Sequence, residues 1–298
     1  MTDSIASFDG IEALADRVPA GKLPLDRVTM GGALNRIQAL VEAKRGGYVV
    51  TPNVDHVVQA EHSPVLRRAV VGASLSLADG MPLVWMSRLL GNSLPEKVSG
   101  SDLVPPLMQR AADHGWGVYF LGAAPGVGQR AADILQRQIG LKIAGVAAPP
   151  VGFDTNPSQA KEVVDRVRAA APELVLVALG CPKQECWMHR HREAIGSAVA
   201  LGIGATLDFI AGKQKRAPRW MSRAGLEWLY RLAREPRRMF GRYILRDPEI
   251  VRILAGMLRD AETGVRPTHS TPPQTAHGSI RAWSRPQQAC TPRRRCDH

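Results

Sequence analysis

LVLVALGCPKQECWMHRHREAIGSAVALG, residues 174–202, is the stretch that decides the fold. Residues 174–179 form an apolar run of strand length, Gly180-Cys181-Pro182 turns the chain, residues 183–195 follow a helical pattern, and residues 198–202 are apolar again. Strand, helix and strand joined by short turns make a βαβ unit, which brings its two strands parallel with helices over the sheet. Outward from this unit the alternation continues. Strands are expected over residues 142–146, 117–121, 74–78 and 48–51, with one more over 23–28. Helices are expected over 157–170, 125–139, from Ser101 or Asp102 to 114, over 54–71, and over 31–44 with Thr29 as its cap. The fold class is therefore α/β, a mostly parallel Rossmann-like sheet with helices on both faces. Residues 1–22 lead into it, residues 23–211 make the Rossmann-like domain, 212–262 a basic helical appendage, and 263–298 a tail too polar to pack.

The charge of the chain is concentrated in that appendage. Residues 212–246 carry eleven Lys and Arg against Glu227 and Glu235, a local charge of +9 within a total of +12. The tail holds six Arg and one Asp, so the body is close to neutral. Interleaved with the basic residues are Trp220, Trp228, Leu229, Leu232, Phe240 and Tyr243. Such a mixture suits a surface that is both anionic and apolar, a membrane face or a lipid-linked phosphate. No apolar run nears the ~20 residues a spanning helix needs, and the first residues lack the pattern of a secretory signal. Cys181, Cys186, Cys290 and Cys296 match no zinc spacing or disulfide framework, which points to a reducing cytosol.

In parallel sheets, ligands bind outside the carboxyl ends of the strands. Those ends here are Thr51-Pro52-Asn53, Asp79-Gly80, Gly122-Ala123-Ala124, Gly180-Cys181-Pro182 and Gly202-Ile203-Gly204. Asp79, with Thr51 and Asn53 from the neighbouring strand end, has the chemistry of a general base acting on a hydroxyl, although an Asp ahead of Pro82 also suits a helix cap. Gly122 opens a glycine-rich turn into a helix, a place for a diphosphate or simply an ordinary βα turn. It lacks the spacing and the acidic residue of a dinucleotide fingerprint. Lys183, Gln184 and Glu185 occupy the first turn of a helix, where Gln184 could read a base edge and where a solvated turn is the plainer reading. Cys181 has no histidine in an obvious motif to activate it. His189 and His191, two apart on a helix, face different ways and do not form a metal pair. No Asp-x-Asp pair occurs, so Lys and Arg would have to stabilise a leaving diphosphate.

Taken in order, Thr51-Pro52-Asn53, Asp79-Gly80-Met81-Pro82, residues 96–103 (EKVSGSDL), Phe120-Leu121-Gly122, residues 180–185 (GCPKQE), residues 211–218 (AGKQKRAP) and residues 225–236 (GLEWLYRLAREP) resemble the WecG/TagA/CpsF family of glycosyltransferases, over about residues 23–246. The resemblance implies a membrane-associated, metal-independent, inverting enzyme without a cofactor. It would move a sugar from a UDP-sugar to an undecaprenyl-diphosphate-linked saccharide in cell-envelope or exopolysaccharide assembly. It would work on the cytoplasmic face of the membrane, with N-acetylmannosamine favoured and glucose as the alternative sugar. It further implies Asp79 as catalytic base with Thr51 beside it, and Gln184 and Asp208 near the nucleotide. Asn53, Lys97 and Gly122 complete the substrate site, and the appendage closes over it with Arg216, Arg231, Arg238 and Arg242. Two positions depart from the family pattern. Lys97 stands where many members have Arg, which makes a fork into a point charge. Gly241, before Arg242-Tyr243, stands where a second basic residue is usual.

Two rival readings remain on the residues. A nicotinamide-dependent oxidoreductase would share the sheet but needs the missing fingerprint. A nucleic-acid binder could use Arg231, Arg234, Arg238 and Arg242 at helical spacing, but Pro218 and Pro236 interrupt the segment and the body adds no positive charge. No nucleic-acid partner is expected. Self-association through a helix ahead of the appendage is compatible with the fold.

Overall fold

The computed structural model describes residues 16–262 except 215, 219, 222–224, 235, 237–239 and 242–245. Six strands form one all-parallel sheet in the order β4-β3-β8-β7-β5-β6. They are β3 (Gly47–Val50), β4 (Leu75–Ser76), β5 (Val118–Gly122), β6 (Ile143–Ala147), β7 (Leu174–Ala178) and β8 (Val199–Gly202). The α/β reading is therefore correct, and its core follows from side-chain alternation. Leu174 and Leu176 of β7 belong to one apolar cluster, with Phe120, Leu201 and Val49, whereas Val175 and Val177 belong to the other, with Tyr48, Leu121 and Ala200. A strand buried on both faces reads as a continuous apolar run for this reason. Phe120 is fully buried at the centre, and its replacement by Ala should cost about 3–5 kcal/mol.

Helices α1 (Met30–Glu42), α2 (Val54–His62), α3 (Pro64–Val71), α4 (Met81–Leu89), α5 (Gly100–Asp113), α6 (Val127–Ile139), α7 (Pro157–Ala170), α8 (Lys183–His191) and α9 (Thr206–Ile210) cover the sheet. Several differ from expectation. The single helix expected over 54–71 is two, because Ser63 caps a new start through the Leu66 N–H and Pro64 follows at its first position. The cap of α5 is Ser99, ahead of both Ser101 and Asp102. The strand expected over 23–28 does not join the main sheet. Residues Leu23–Asp26 (β2) pair antiparallel with Arg17–Ala20 (β1), so the hairpin spans residue 22, where the body was expected to begin.

The last strand, β8, inserts between β3 and β7, and a crevice opens at the carboxyl ends of these strands. Beyond α9, the helix Glu227–Arg234 lies in the appendage and the helix Glu249–Glu262 returns to the body. Ile250, Ile253 and Leu254 of the latter pack against the core, and the Gly21 N–H points to Met257 Sδ at 3.1 Å. Among the described residues, no helix is long and apolar enough to cross a membrane.

Candidate active site

A cleft of about 940 Å³ lies across the ends of β4, β3, β8 and β7, within the range of pockets that hold nucleotide-sized ligands. Asp79 lines it, placed there by the turn that leaves β4. That turn is fixed from the next strand end, since the Asp79 N–H donates to the Pro52 carbonyl at 2.8 Å. Asp79 does not cap α4: the cap position is Gly80, with φ of +129° and no side-chain hydrogen bond. Thr51 and Asn53 line the cleft too, each also holding the scaffold. The Thr51 hydroxyl donates to the Gly202 carbonyl at 3.2 Å, tying β3 to β8. Asn53 caps α2, its Oδ1 accepting from the His56 N–H at 3.4 Å.

The solvated first turn considered for α8 is not what forms. Gln184 and Glu185 are 3% and 0% exposed, because the turn from β7 drives the start of α8 under the cleft. The Gln184 amide reaches across the end of β8. Its Oε1 accepts from the Gly204 N–H at 3.2 Å, and its Nε2 donates to Glu185 Oε1 at 2.7 Å. Only a glycine leaves room, since a Cβ on Gly202 would sit 2.9 Å from Gln184 Nε2. Glu185 Oε1 also faces His56 Nε2 at 3.2 Å, and His56 Nδ1 lies 3.0 Å from Asn53 Oδ1. Nε2 thus meets an acceptor, whereas Nδ1 faces both Asn53 Oδ1 and the Asn53 N–H, the latter at 3.3 Å. Burial opposes that charge, but Cys181 and Glu185 beside the ring outweigh it and raise the His56 pKa well above its usual value.

His56 is the histidine that the sequence reading did not find for Cys181. Burial nevertheless pushes the Cys181 thiol up, against the influence of His56. Among the described residues, His56, Cys181 and Glu185 form the one group able to hold a metal ion, their ligand atoms all within 4.8 Å of one another.

A second polar group lies at the start of α5. Lys97 Nζ is 3.2 Å from Asp102 Oδ2 and 3.9 Å from Glu227 Oε2. Arg216 pairs with the same Asp102 and donates to the Ser101 carbonyl at 3.3 Å. Burial raises the Asp102 carboxyl, but hydrogen bonds from Ser99 and Arg216 and the charge of Lys97 prevail and hold it below the usual range. Lys97 and Arg216 therefore border the cleft, engaged with a carboxylate, while Ser101 and Ala217 next to them line it.

Of the remaining expected residues, Asp208 lines the cleft, and its carbonyl accepts from the Lys213 and Gln214 N–H groups. Gly122 is not among the lining residues. Its φ of +99° and the 2.6 Å from an added Cβ to the Ala178 carbonyl give it a packing role. Arg231 belongs to the helix Glu227–Arg234. Arg238 and Arg242 lie outside the described residues. Three cations that the sequence reading did not place in the substrate site do line the cleft: Lys213, Arg234 and Arg246. Arg234 stands 5.7 Å from the Tyr230 ring centroid, and Arg246 pairs with the buried Asp55 at 2.9 Å. Only the three-dimensional return of the chain reveals Arg246, since Asp55 precedes it by 191 residues.

Residues 18–263 match the model of a family described as glycosyl transferase WecG/TagA/CpsF. A relative from Bacillus spizizenii is 34% identical over 199 residues, covering 66% of this chain and 75% of its own. It is called N-acetylglucosaminyldiphosphoundecaprenol N-acetyl-beta-D-mannosaminyltransferase.

Proposed function

From the premise that this chain belongs to the WecG/TagA/CpsF family of glycosyl transferases, we propose that it moves N-acetylmannosamine from a UDP-sugar to an undecaprenyl-diphosphate-linked saccharide. The observation that carries this reading is the Asp79 carboxylate lining the cleft at the end of β4, beside Thr51 and Asn53. Asp79 takes the proton of an acceptor hydroxyl as that oxygen bonds to the anomeric carbon, and the bond from that carbon to the diphosphate breaks on the opposite side. Attack from the far side inverts the centre. The β linkage in the relative's name agrees with that outcome for an α-linked donor. Negative charge then gathers on the departing diphosphate, and Lys213, Arg234 and Arg246 supply positive charge within the same cleft. Gln184 and Asp208 serve the nucleotide end, Thr51 fixes the strand end beside Asp79, and Arg216 and Lys97 stand at the rim. No cofactor enters this scheme, and no metal is required by it.

The acceptor brings a lipid with it, which gives the appendage its task. Trp220, Trp228, Leu229 and Phe240 are exposed, on a segment rich in Lys and Arg. Aromatic and aliphatic side chains enter the interface while the cations meet anionic headgroups, each worth about 1 kcal/mol near such a surface. The protein then acts as a peripheral enzyme on the inner leaflet of the cytoplasmic membrane. The deciding experiment offers purified protein a panel of UDP-sugars, UDP-N-acetylmannosamine and UDP-glucose among them, with a lipid-linked N-acetylglucosamine diphosphate. Products are read by mass and by nuclear magnetic resonance. A β-linked N-acetylmannosaminyl product is expected, and absence of transfer from every UDP-sugar would reject the reading.

A further inference from the structure

Glu185 is a carboxylate with no exposure and, among the described residues, no Lys or Arg paired with it, an arrangement too costly to be accidental. Its neighbours explain where it acts. Oε1 accepts from Gln184 Nε2 and faces His56 Nε2, while Oε2 has no hydrogen-bond partner among the described residues. The Gln184 amide is asymmetric in consequence. The Gly204 N–H requires an acceptor and so fixes the oxygen of the amide toward β8, and Glu185 requires a donor and so fixes the nitrogen toward α8. An amide held at both ends cannot flip, and it presents the same face to the cleft in every molecule. His56 Nε2 faces the same carboxylate oxygen, and Asn53 orients the ring from the cap of α2.

We propose that Glu185 and His56 are positioning residues that lock the Gln184 amide in a single orientation toward a nucleotide bound in the cleft. The inference rests on the reading of the cleft as a sugar-nucleotide site, and deepens it by separating what touches the ligand from what aims it. Glu185 and His56 act through Gln184, across a contact between residues 129 apart in the chain.

The test has one arm that needs no substrate. The Gln184 side-chain amide is assigned in ¹H–¹⁵N spectra by its loss in Gln184→Ala. In the wild type its two protons should be well dispersed and slow to exchange. Glu185→Ala should collapse them toward the position of a free glutamine. Glu185→Gln, which keeps an acceptor oxygen and guards against a variant that fails to fold, should leave them dispersed. Unchanged signals in a folded Glu185→Ala protein would overturn the inference, whatever the enzyme transfers. So would signals that move on adding zinc or a chelator, since the His56, Cys181 and Glu185 donors would then be serving a metal.

The second arm is kinetic. A misplacement of about 1 Å can cost about 10²-fold in rate, and Glu185→Ala and Gln184→Ala should each lower kcat/KM for the sugar nucleotide on that order, with the KM for the acceptor unmoved. The double variant should be no worse than Gln184→Ala alone, because the two changes remove the same thing. Multiplying losses would mark Glu185 as an independent structural element and overturn the positioning role. A wild type that transfers nothing would reject the proposed function and leave the spectroscopic arm to decide this inference.

Discussion

Replacing Asp79 by Asn exchanges one proton-accepting oxygen for a nitrogen at nearly constant volume. The structure indicates how small the effect on folding should be. Asp79 does not cap α4, so the roughly 1 kcal/mol that a lost cap would cost is not at stake. The hydrogen bond from its N–H to Pro52 belongs to the backbone and survives. A melting temperature within about 2 °C of wild type is expected. The effect on transfer should be of another order. A positioned general base contributes about 10²–10⁴-fold, or about 2.7–5.4 kcal/mol of barrier at 1.36 kcal/mol per tenfold. Because Asn can still hydrogen-bond an acceptor hydroxyl, the loss should fall on kcat, with the KM of both substrates nearly unchanged. Steady-state kinetics against purified lipid-linked acceptor would measure this, with thermal melting as the control. A folded variant that turns over within about tenfold of wild type would remove Asp79 from the mechanism.

Unfolding in urea across pH should expose the charge on His56. Its folded pKa is raised, so its stabilising contribution is complete below about pH 6.5 and fades as pH rises through the folded value. The stability gap between wild type and His56→Gln should narrow by up to about 1.4 kcal/mol per pH unit above about 6.5, and a constant gap would contradict the imidazolium. Transfer activity should survive excess EDTA, because the cations lining the cleft are side chains; near-complete loss restored by Mg²⁺ or Mn²⁺ would show that the charge on the leaving diphosphate is met otherwise. Replacing Trp228 and Leu229 by Ser should weaken co-sedimentation with phosphatidylglycerol vesicles by about tenfold, whereas removing residues 263–298 should leave it nearly intact. The reverse pattern would move the lipid contact to the tail.

Sequence patterns reached the sheet because each of its central strands is buried on both faces and announces itself as an apolar run, as residues 174–178 do. They also reached the strand ends, since Asp79, Thr51 and Gln184 follow such runs directly and all three line one cleft. The break at Ser63-Pro64 was readable from a cap residue followed by Pro, and a long apolar period across it concealed the signal. The β1–β2 hairpin was hidden by Pro19 and Pro24, which pair opposite each other on a two-stranded ribbon where proline's missing N–H is tolerated. The burial of Glu185 was out of reach for a different reason. A Glu in a first helical turn is usually solvated, and only the return of α2, bringing His56 from 129 residues away, makes its burial affordable.

The helix Glu249–Glu262 gives the basic segment a second anchor. At one end, Lys213 and Gln214 are fastened by their N–H groups to the Asp208 carbonyl. At the other, Arg246 pairs with Asp55, His62 lies 3.1 Å from Glu249, and Ile250, Ile253 and Leu254 are seated on the body. A chain tethered at both ends explores far less volume than a free tail of equal length, so Lys213, Arg234 and Arg246 are kept at the cleft they line at a high effective concentration. Cutting the backbone between Asp247 and Pro248 would leave every residue present, yet turn the strap into a loose end, and under the proposed function it should weaken binding of the sugar nucleotide by entropy alone.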